Sequence, residues 1–329
     1  MMRRRDVIAW IGALAISPRV ASAQATKITR IGFLIPSALD APATHENFGA
    51  VRQGLADLGY IDGQNIVFEP RGGNGTAERL AAMAAELVAA KVDIIVAIAT
   101  PAARAAQQAT STIPIVVGSV GDPVHDGFVA SLSHPGGNIT GTTFLGPELV
   151  PKRFALLKEL LPKAARVAVL WNPKAFGEQT NAGMVAQTDE AAKVLGIEVS
   201  YVEVSGVDRF EAAVSEAAGR ADAIFQFPNP TFFENRKLLV DLAAKYHVPA
   251  AYNAREFVEV GGLIGYGASP VALNRRTALY VDKIIKGAKP ADLPVEQPTI
   301  FDFAVNRTTA KALAIAIPNT LLAAAEMID

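Results

Sequence analysis

Residues 119–141 read SVGDPVHDGFVASLSHPGGNITG and bring His125, His134, Asp122 and Asp126 close to a Pro-Gly-Gly run. Residues of these types serve as metal ligands, as acid–base pairs or as phosphate-binding loops. The spacing suits none of the three. Metal ligands on one helix sit four residues apart so that they share a face, and His125 and His134 do not. The chain has no G-x-S-x-G elbow, no H-E-x-x-H and no G-x-x-x-x-G-K-S/T. RGGNG at 71–75 joins an expected strand to an expected helix. It lacks the third glycine of a dinucleotide fingerprint and reads as a flexible loop. His45 and His247 stand alone, as surface or capping residues do. No catalytic residue, metal or cofactor is expected. What the stretch does offer is Asp122, an acidic residue just past a strand, suited to holding an ammonium group.

The bulk properties narrow the classes further. A length of 329 residues suits one large or two ordinary domains, and 50% hydrophobic residues is enough for real cores. A net charge of −1 gives no footprint for nucleic acid or an anionic membrane surface. The absence of cysteine removes disulfides, thiolate metal sites, a cysteine nucleophile and an N-terminal lipid anchor. Residues 1–25 have a basic start (Arg3, Arg4, Arg5), an apolar run and the small-residue site Ala21-Ser22-Ala23, the pattern of a cleavable secretory signal. The arginines followed by Asp6-Val7-Ile8 resemble a twin-arginine signal, with the general secretory route as the rival. The expected location is therefore extracytoplasmic, the periplasm in a Gram-negative cell. That location argues against chemistry driven by NAD or ATP.

The mature chain alternates strands and helices. ITRIGFLIP, NIVFEP, VDIIVAIAT and TIPIVVGS read as strands, with helical periodicity between them. VDIIVAIAT is apolar throughout, as in a parallel sheet buried on both faces. A second series follows, with strands RVAVLW, EVSYVEV and DAIFQFP. The expectation is an α/β fold: two Rossmann-like lobes, each a doubly wound parallel sheet. Beyond it come short strands in VPAAYN and GGLIGYGAS, a helix at 271–286, a proline-rich connection, TIFDFAVN and two short helices. A tail of this kind recrosses between lobes and makes a hinge, and a hinge implies a cleft. The expected partition is 26–144 with about 262–294 in lobe 1, and 145–261 with about 295–329 in lobe 2. Residues 124–132 are expected to form a short packing helix.

Open parallel sheets bind ligands beyond the carboxyl ends of their strands. The candidate ligand-binding residues are thus those that follow each strand. In lobe 1 they are Ser37, Thr100, Pro101, Ala102, Ser119, Gly121 and Asp122; in lobe 2, Asn172, Phe227, Asn229, Tyr252 and Asn253. Thr100 opens a helix, where free backbone N–H groups favour a carboxylate. Phe227 and Tyr252 are suited to stacking on an apolar or aromatic ligand.

GDPVHDGFVASLSHPGGNITG, KGAKPADLPVEQPTIFDFAVNRTTAKALAIAIP, QGLADLGYIDGQNI and AREFVEVGGLIGYGAS together resemble the ABC-transporter substrate-binding family that includes the tryptophan-binding proteins. The resemblance covers essentially the whole mature chain, with ADLPVEQPT its most specific block. It departs at 263–267, where LIGYG stands in place of the common LMSYG. The resemblance implies a type I periplasmic-binding-protein fold with three crossings between the lobes. It also implies a small ligand enclosed by hinge closure, an amino acid (aromatic in members of known specificity) or a related carboxylate. Its implied partners are an inner-membrane permease and ATPase, with a monomeric binding protein. A ligand-presenting sensor for a membrane receptor is the alternative function, and a periplasmic enzyme on the same scaffold a second one.

Overall fold

The computed structural model describes residues 28–74 and 76–329; the expected signal peptide lies outside them. The first lobe runs β1 (Thr29–Ile35), α1 (Pro42–Asp57), β2 (Ile66–Gly72), α2 (Ala77–Ala89), β3 (Ile94–Ile98), α3 (Ala99–Ala109), β4 (Ile115–Val120) and β5 (Ile139–Thr143). Its sheet has the order β2-β1-β3-β4-β5, all parallel. β1, β3 and β4 are buried on both faces, which is why their sequences are apolar without alternation.

The chain then enters the second lobe at α4 (Val150–Leu160). There follow β6 (Arg166–Trp171), α5 (Glu178–Leu195), β7 (Glu198–Glu203), α6 (Phe210–Arg220), β8 (Ala223–Gln226), α7 (Pro230–Glu234), α8 (Arg236–Lys245), β9 (Ala250–Tyr252), α9 (Arg255–Glu259) and β10 (Ile264–Gly267). These strands lie in the order β7-β6-β8-β9-β10, the same winding as the first sheet. The chain crosses back through α10 (Pro270–Ile285) and returns to the second sheet as β11 (Asp302–Asn306), α11 (Arg307–Ala312), α12 (Asn319–Ala324) and β12 (Glu326–Ile328). β11 is antiparallel to β10, and β12 adds a parallel edge strand that the sequence pattern did not signal. Each sheet separates two hydrophobic clusters, one per face.

Two sequence expectations shift. The return to the first lobe falls later than residue 262: Ile264 and Gly265 still pair with Ala251 and Tyr252, and all of β10 pairs with β11. The chain leaves the second sheet only after Gly267. Glu296 still bonds to the first lobe, since its N–H donates to Gly141 O at 2.9 Å and its carbonyl accepts from Thr143 N at 3.0 Å. The last crossing therefore lies between Glu296 and Asp302. Residues 124–132 form turns instead of a helix. The Asp122 side chain accepts from the N–H groups of Val124 and His125, and Pro123 O accepts from Phe128 and Val129, so the segment closes on itself within a few residues.

α10 follows a second-lobe strand yet packs on the first lobe, lying along α1 and against β4 and β5. Tyr60 donates to Asp282 at 2.9 Å, and Arg275 pairs with Asp57. The closest approach is at Gly54 on α1, where a Cβ would stand 2.6 Å from the Arg275 carbonyl oxygen and 2.8 Å from the Ala278 Cβ. Gly54→Ala would add about 1 kcal/mol of stability in an isolated helix. Here the backbone clash reverses the sign. Urea unfolding should show a loss of about 1–3 kcal/mol, and a gain would show that α10 does not dock this tightly.

Candidate functional site

The carboxyl ends of the two sheets face each other across a cleft whose empty space, open mouth included, is about 780 Å³. In the first lobe it is lined where the strand order reverses, by Ile35, Pro36 and Ser37 after β1 and by Ile98 and Ala99 after β3. Ser119 joins them from β4. In the second lobe the lining comes from Pro228, Asn229, Pro230 and Asn253 beyond β8 and β9. Two of the three crossings contribute: Phe144 from the first, and Gly267, Ala268 and Pro270 from the second. Phe144 and Phe176 sit with ring centroids 5.5 Å apart at one wall, and Phe233 lies at another.

Of the twelve candidates, Ser37, Ser119, Asn229 and Asn253 line the cleft; the other eight do not. Each of these eight is held elsewhere for a physical reason. The Thr100 hydroxyl accepts from Gly121 N at 3.0 Å, so it holds two loops together, while Pro101 and Ala102 turn with it into α3. Gly121 lies against the opposite lobe, where a Cβ would meet Thr180 Cγ2 at 2.8 Å. The Asp122 carboxylate is used within its own turn and by His125 Nδ1 at 2.5 Å. Asn172 caps its own turn by accepting from Lys174 N at 2.9 Å. Phe227 packs among Phe225 and Tyr201 in the core, and Tyr252 stacks on Phe257 at 4.9 Å. Alternation along a strand sends these two rings sideways under the helices and not beyond the strand end.

The charged groups of the cleft come from helices. Arg153, on α4, is 3% exposed and lines the cavity. Its Nε and Nη1 have no acceptor, and its remaining nitrogen makes only a long 3.4 Å bond to Gly146 O. The guanidinium carbon lies 5.3 Å from the Phe225 ring centre, a partial compensation. Burial pulls its pKa down to about 10, which still leaves it cationic at neutral pH. Asn229, 6% exposed, uses its oxygen to cap α7 through Thr231 N at 2.7 Å, and its Nδ2 has no acceptor. Three buried donor atoms thus stand without acceptors at one mostly apolar site. Glu234, the last residue of α7, also lines the cleft; burial pushes its carboxyl up to about 7. Among the described residues neither Arg153 nor Glu234 has an ion-pair partner. Across the cavity, Ser119 donates to Asn274 Oδ1 at 3.1 Å and Asn274 donates to Asn47 Oδ1 at 2.6 Å, a polar patch on the first lobe.

A signal for Arg153 does exist in the sequence. It occupies the apolar stripe Val150, Phe154, Leu157, Leu160 of an amphipathic helix, where a charge is out of place. Glu234 has no comparable mark in TFFEN. No metal-holding group of three or more His, Cys, Asp or Glu occurs among the described residues, and no described helix is long and apolar enough to cross a membrane.

Polar contacts join the lobes at the cleft's rim. The Asp126 carboxylate accepts from the Thr180 hydroxyl at 2.9 Å, and Thr180 Oγ1 accepts from Asp122 N at 3.0 Å. Arg236 pairs with Glu46 at 2.6 Å. Two lobes of one topology, three crossings and an interlobe cleft define a type I periplasmic binding protein, a class that encloses small molecules. The sequence model of the family described as "ABC transporter substrate binding protein" matches residues 34–328, and the chain belongs to that family. It is therefore a transporter substrate-binding protein, a class that works outside the cytoplasm beside a permease.

The chain is 29% identical over 260 residues to a tyrosine-binding protein of Clostridioides difficile, covering 79% of this chain and 74% of that one. An ABC domain from Streptococcus pneumonia in complex with L-Trp superposes with a TM-score of 0.83 at 27% identity, over 92% of this chain and 100% of that one. The ligand-free, open structure of a substrate binding protein with adhesive properties from Clostridium difficile gives 0.65 at 26% identity, over 92% and 99%.

Asp122→Ala tests whether that residue belongs to its turn alone. It should lower stability by about 1 kcal/mol, read from thermal unfolding, and change ligand affinity less than about twofold. A large loss of affinity with unchanged stability would put Asp122 in the ligand site.

Proposed function

We propose that the cleft binds an amino acid with an apolar or aromatic side chain for uptake, the carboxylate lying on Arg153 and Asn229 Nδ2. The observation that carries this reading is the trio of buried donor atoms without acceptors, one of them cationic. A buried unpaired guanidinium costs several kcal/mol, and a planar carboxylate is the anion that its fork fits. Phe144, Phe176 and Phe233 supply apolar walls for the ligand's side chain. The relatives named for tyrosine and solved with L-Trp support the same ligand class. The protein then works as a monomer in the periplasm, closes on its ligand about the three crossings, and delivers it to the permease of an ATP-driven transporter. No bond of the ligand is made or broken.

The test is a thermal-shift and calorimetric screen with L-tryptophan, L-tyrosine, L-phenylalanine and L-leucine, on the native chain and on Arg153→Met. Ligand bound only to the folded state raises the melting temperature. The native chain should be stabilised by at least one of them. Arg153→Met should lose about a hundredfold in affinity while its ligand-free melting temperature holds or rises, since an unpaired buried charge has been replaced by an apolar side chain. Retained affinity in Arg153→Met would refute the carboxylate assignment.

A further inference from the structure

Among the described residues, Glu234 is the only acidic side chain that lines the cleft, and it has no hydrogen-bond or ion-pair partner there. It closes α7, whose Asn229 cap carries one of the acceptor-free donors, so the carboxyl and the anion-seeking trio are set on neighbouring parts of the same cavity wall. The two charged groups are not spent on each other: no ion pair joins Glu234 to Arg153. A mostly apolar cavity that holds one unpaired cation and one unpaired acid is matched by a zwitterion. This proposal rests on the amino-acid reading of the cleft and adds to it.

We infer that Glu234 holds the ammonium group of the bound amino acid and gives up a proton to solvent when it does so, which makes selectivity against deaminated analogues pH-dependent. The Glu234 carboxyl, raised to about 7 by burial, is largely protonated at pH 6 and largely ionised at pH 8. An ammonium group favours the ionised form. Below about pH 7 binding must therefore displace a proton, and affinity falls; above it there is no proton to displace. A carboxylic acid that lacks the amine gains nothing from ionised Glu234 and pairs as well or better with the neutral form.

α1 and α8 pack against α7; their titratable and charged groups are His45, Glu46, Arg52 and Asp57 on α1, and Arg236, Lys237, Asp241 and Lys245 on α8. Glu46 and Arg236 pair with each other, and Lys237 pairs with Asp241 at 2.5 Å. His45 is exposed on α1 and is the neighbour that must be controlled for.

The experiment is titration calorimetry at pH 6, 7 and 8, in buffers of different ionisation enthalpy. The probes are L-tryptophan, L-tyrosine and L-phenylalanine, each against its deaminated analogue (indolepropionate, phloretate and hydrocinnamate). The native chain, Glu234→Gln and His45→Gln are compared. The expected result is that amino-acid affinity rises about tenfold from pH 6 to pH 8, with proton release at pH 6, while the deaminated analogue shows no rise. Glu234→Gln should flatten the profile and abolish proton release; His45→Gln should leave both as they are. An amino acid that binds with a flat profile and no proton release, or a profile flattened by His45→Gln, overturns the role of Glu234 and leaves the ligand class standing. If neither the amino acids nor the analogues bind at any pH, the reading of the cleft falls and the Glu234 role with it. The buffer comparison on the native chain decides the matter even if Glu234→Gln does not fold.

Discussion

A guanidinium group buried in an apolar setting with two nitrogens unbonded is the feature around which the rest of this molecule makes sense. Removing such a charge from water costs several kcal/mol unless an anion and further hydrogen bonds restore the balance. Arg153 has neither: only a ring face at 5.3 Å and one long bond to a carbonyl. A fold that tolerates this must recover stability from packing, which the four hydrophobic clusters supply. It must also keep the group where an outside anion can reach it, and the cleft between the lobes does so. The single carbonyl that Arg153 does touch, Gly146 O, belongs to the first crossing. The group that would sense a carboxylate is thus bonded to the segment that would move when the lobes close.

Closure itself rests on few contacts. Asp126 with Thr180, Asp122 N with Thr180, and Arg236 with Glu46 join the rims, and the last is a partly exposed pair worth little by itself. Burial raises the Asp126 carboxyl above its usual range, with the Thr180 bonds opposing that shift, so even this latch is partly offset by desolvation. Weak rim contacts fit a protein whose open and closed forms differ by a small free energy, because a ligand shifts such a balance only by its differential affinity for the two states. Close backbone approach helps the lobes to meet: at Gly121 and Gly177 a Cβ would collide with Thr180 and Asp126 of the facing lobe.

The layers were legible in the sequence because burial on both faces leaves unmistakable apolar runs, as in β3 and β4, and because the helices between them keep their period. Lobe boundaries were harder to read. β10 is only four residues long, and its place in the second sheet depends on pairing with β11, more than thirty residues away. The rule that sites lie past strand ends located the cleft and four of its lining residues. It could not tell which way each side chain turned, so Phe227 and Tyr252, attractive as stacking rings, are core residues. Asp122 looked like a ligand acid and is occupied by the turn that it caps. Arg153 and Glu234 reach the cleft from helices: a charge in the apolar stripe of α4 marks Arg153, whereas nothing in TFFEN says that Glu234 meets a cavity formed by two lobes.

On the proposed function, Arg153 and Asn229 receive the ligand's carboxylate. A crystal structure of the chain with the tightest-binding amino acid tests it most directly. The ligand's carboxylate oxygens should lie about 2.7–2.9 Å from the Arg153 nitrogens, with Asn229 Nδ2 bonded to the same group. A ligand whose carboxylate lies elsewhere, with Arg153 Nε and Nη1 still without an acceptor, would contradict it.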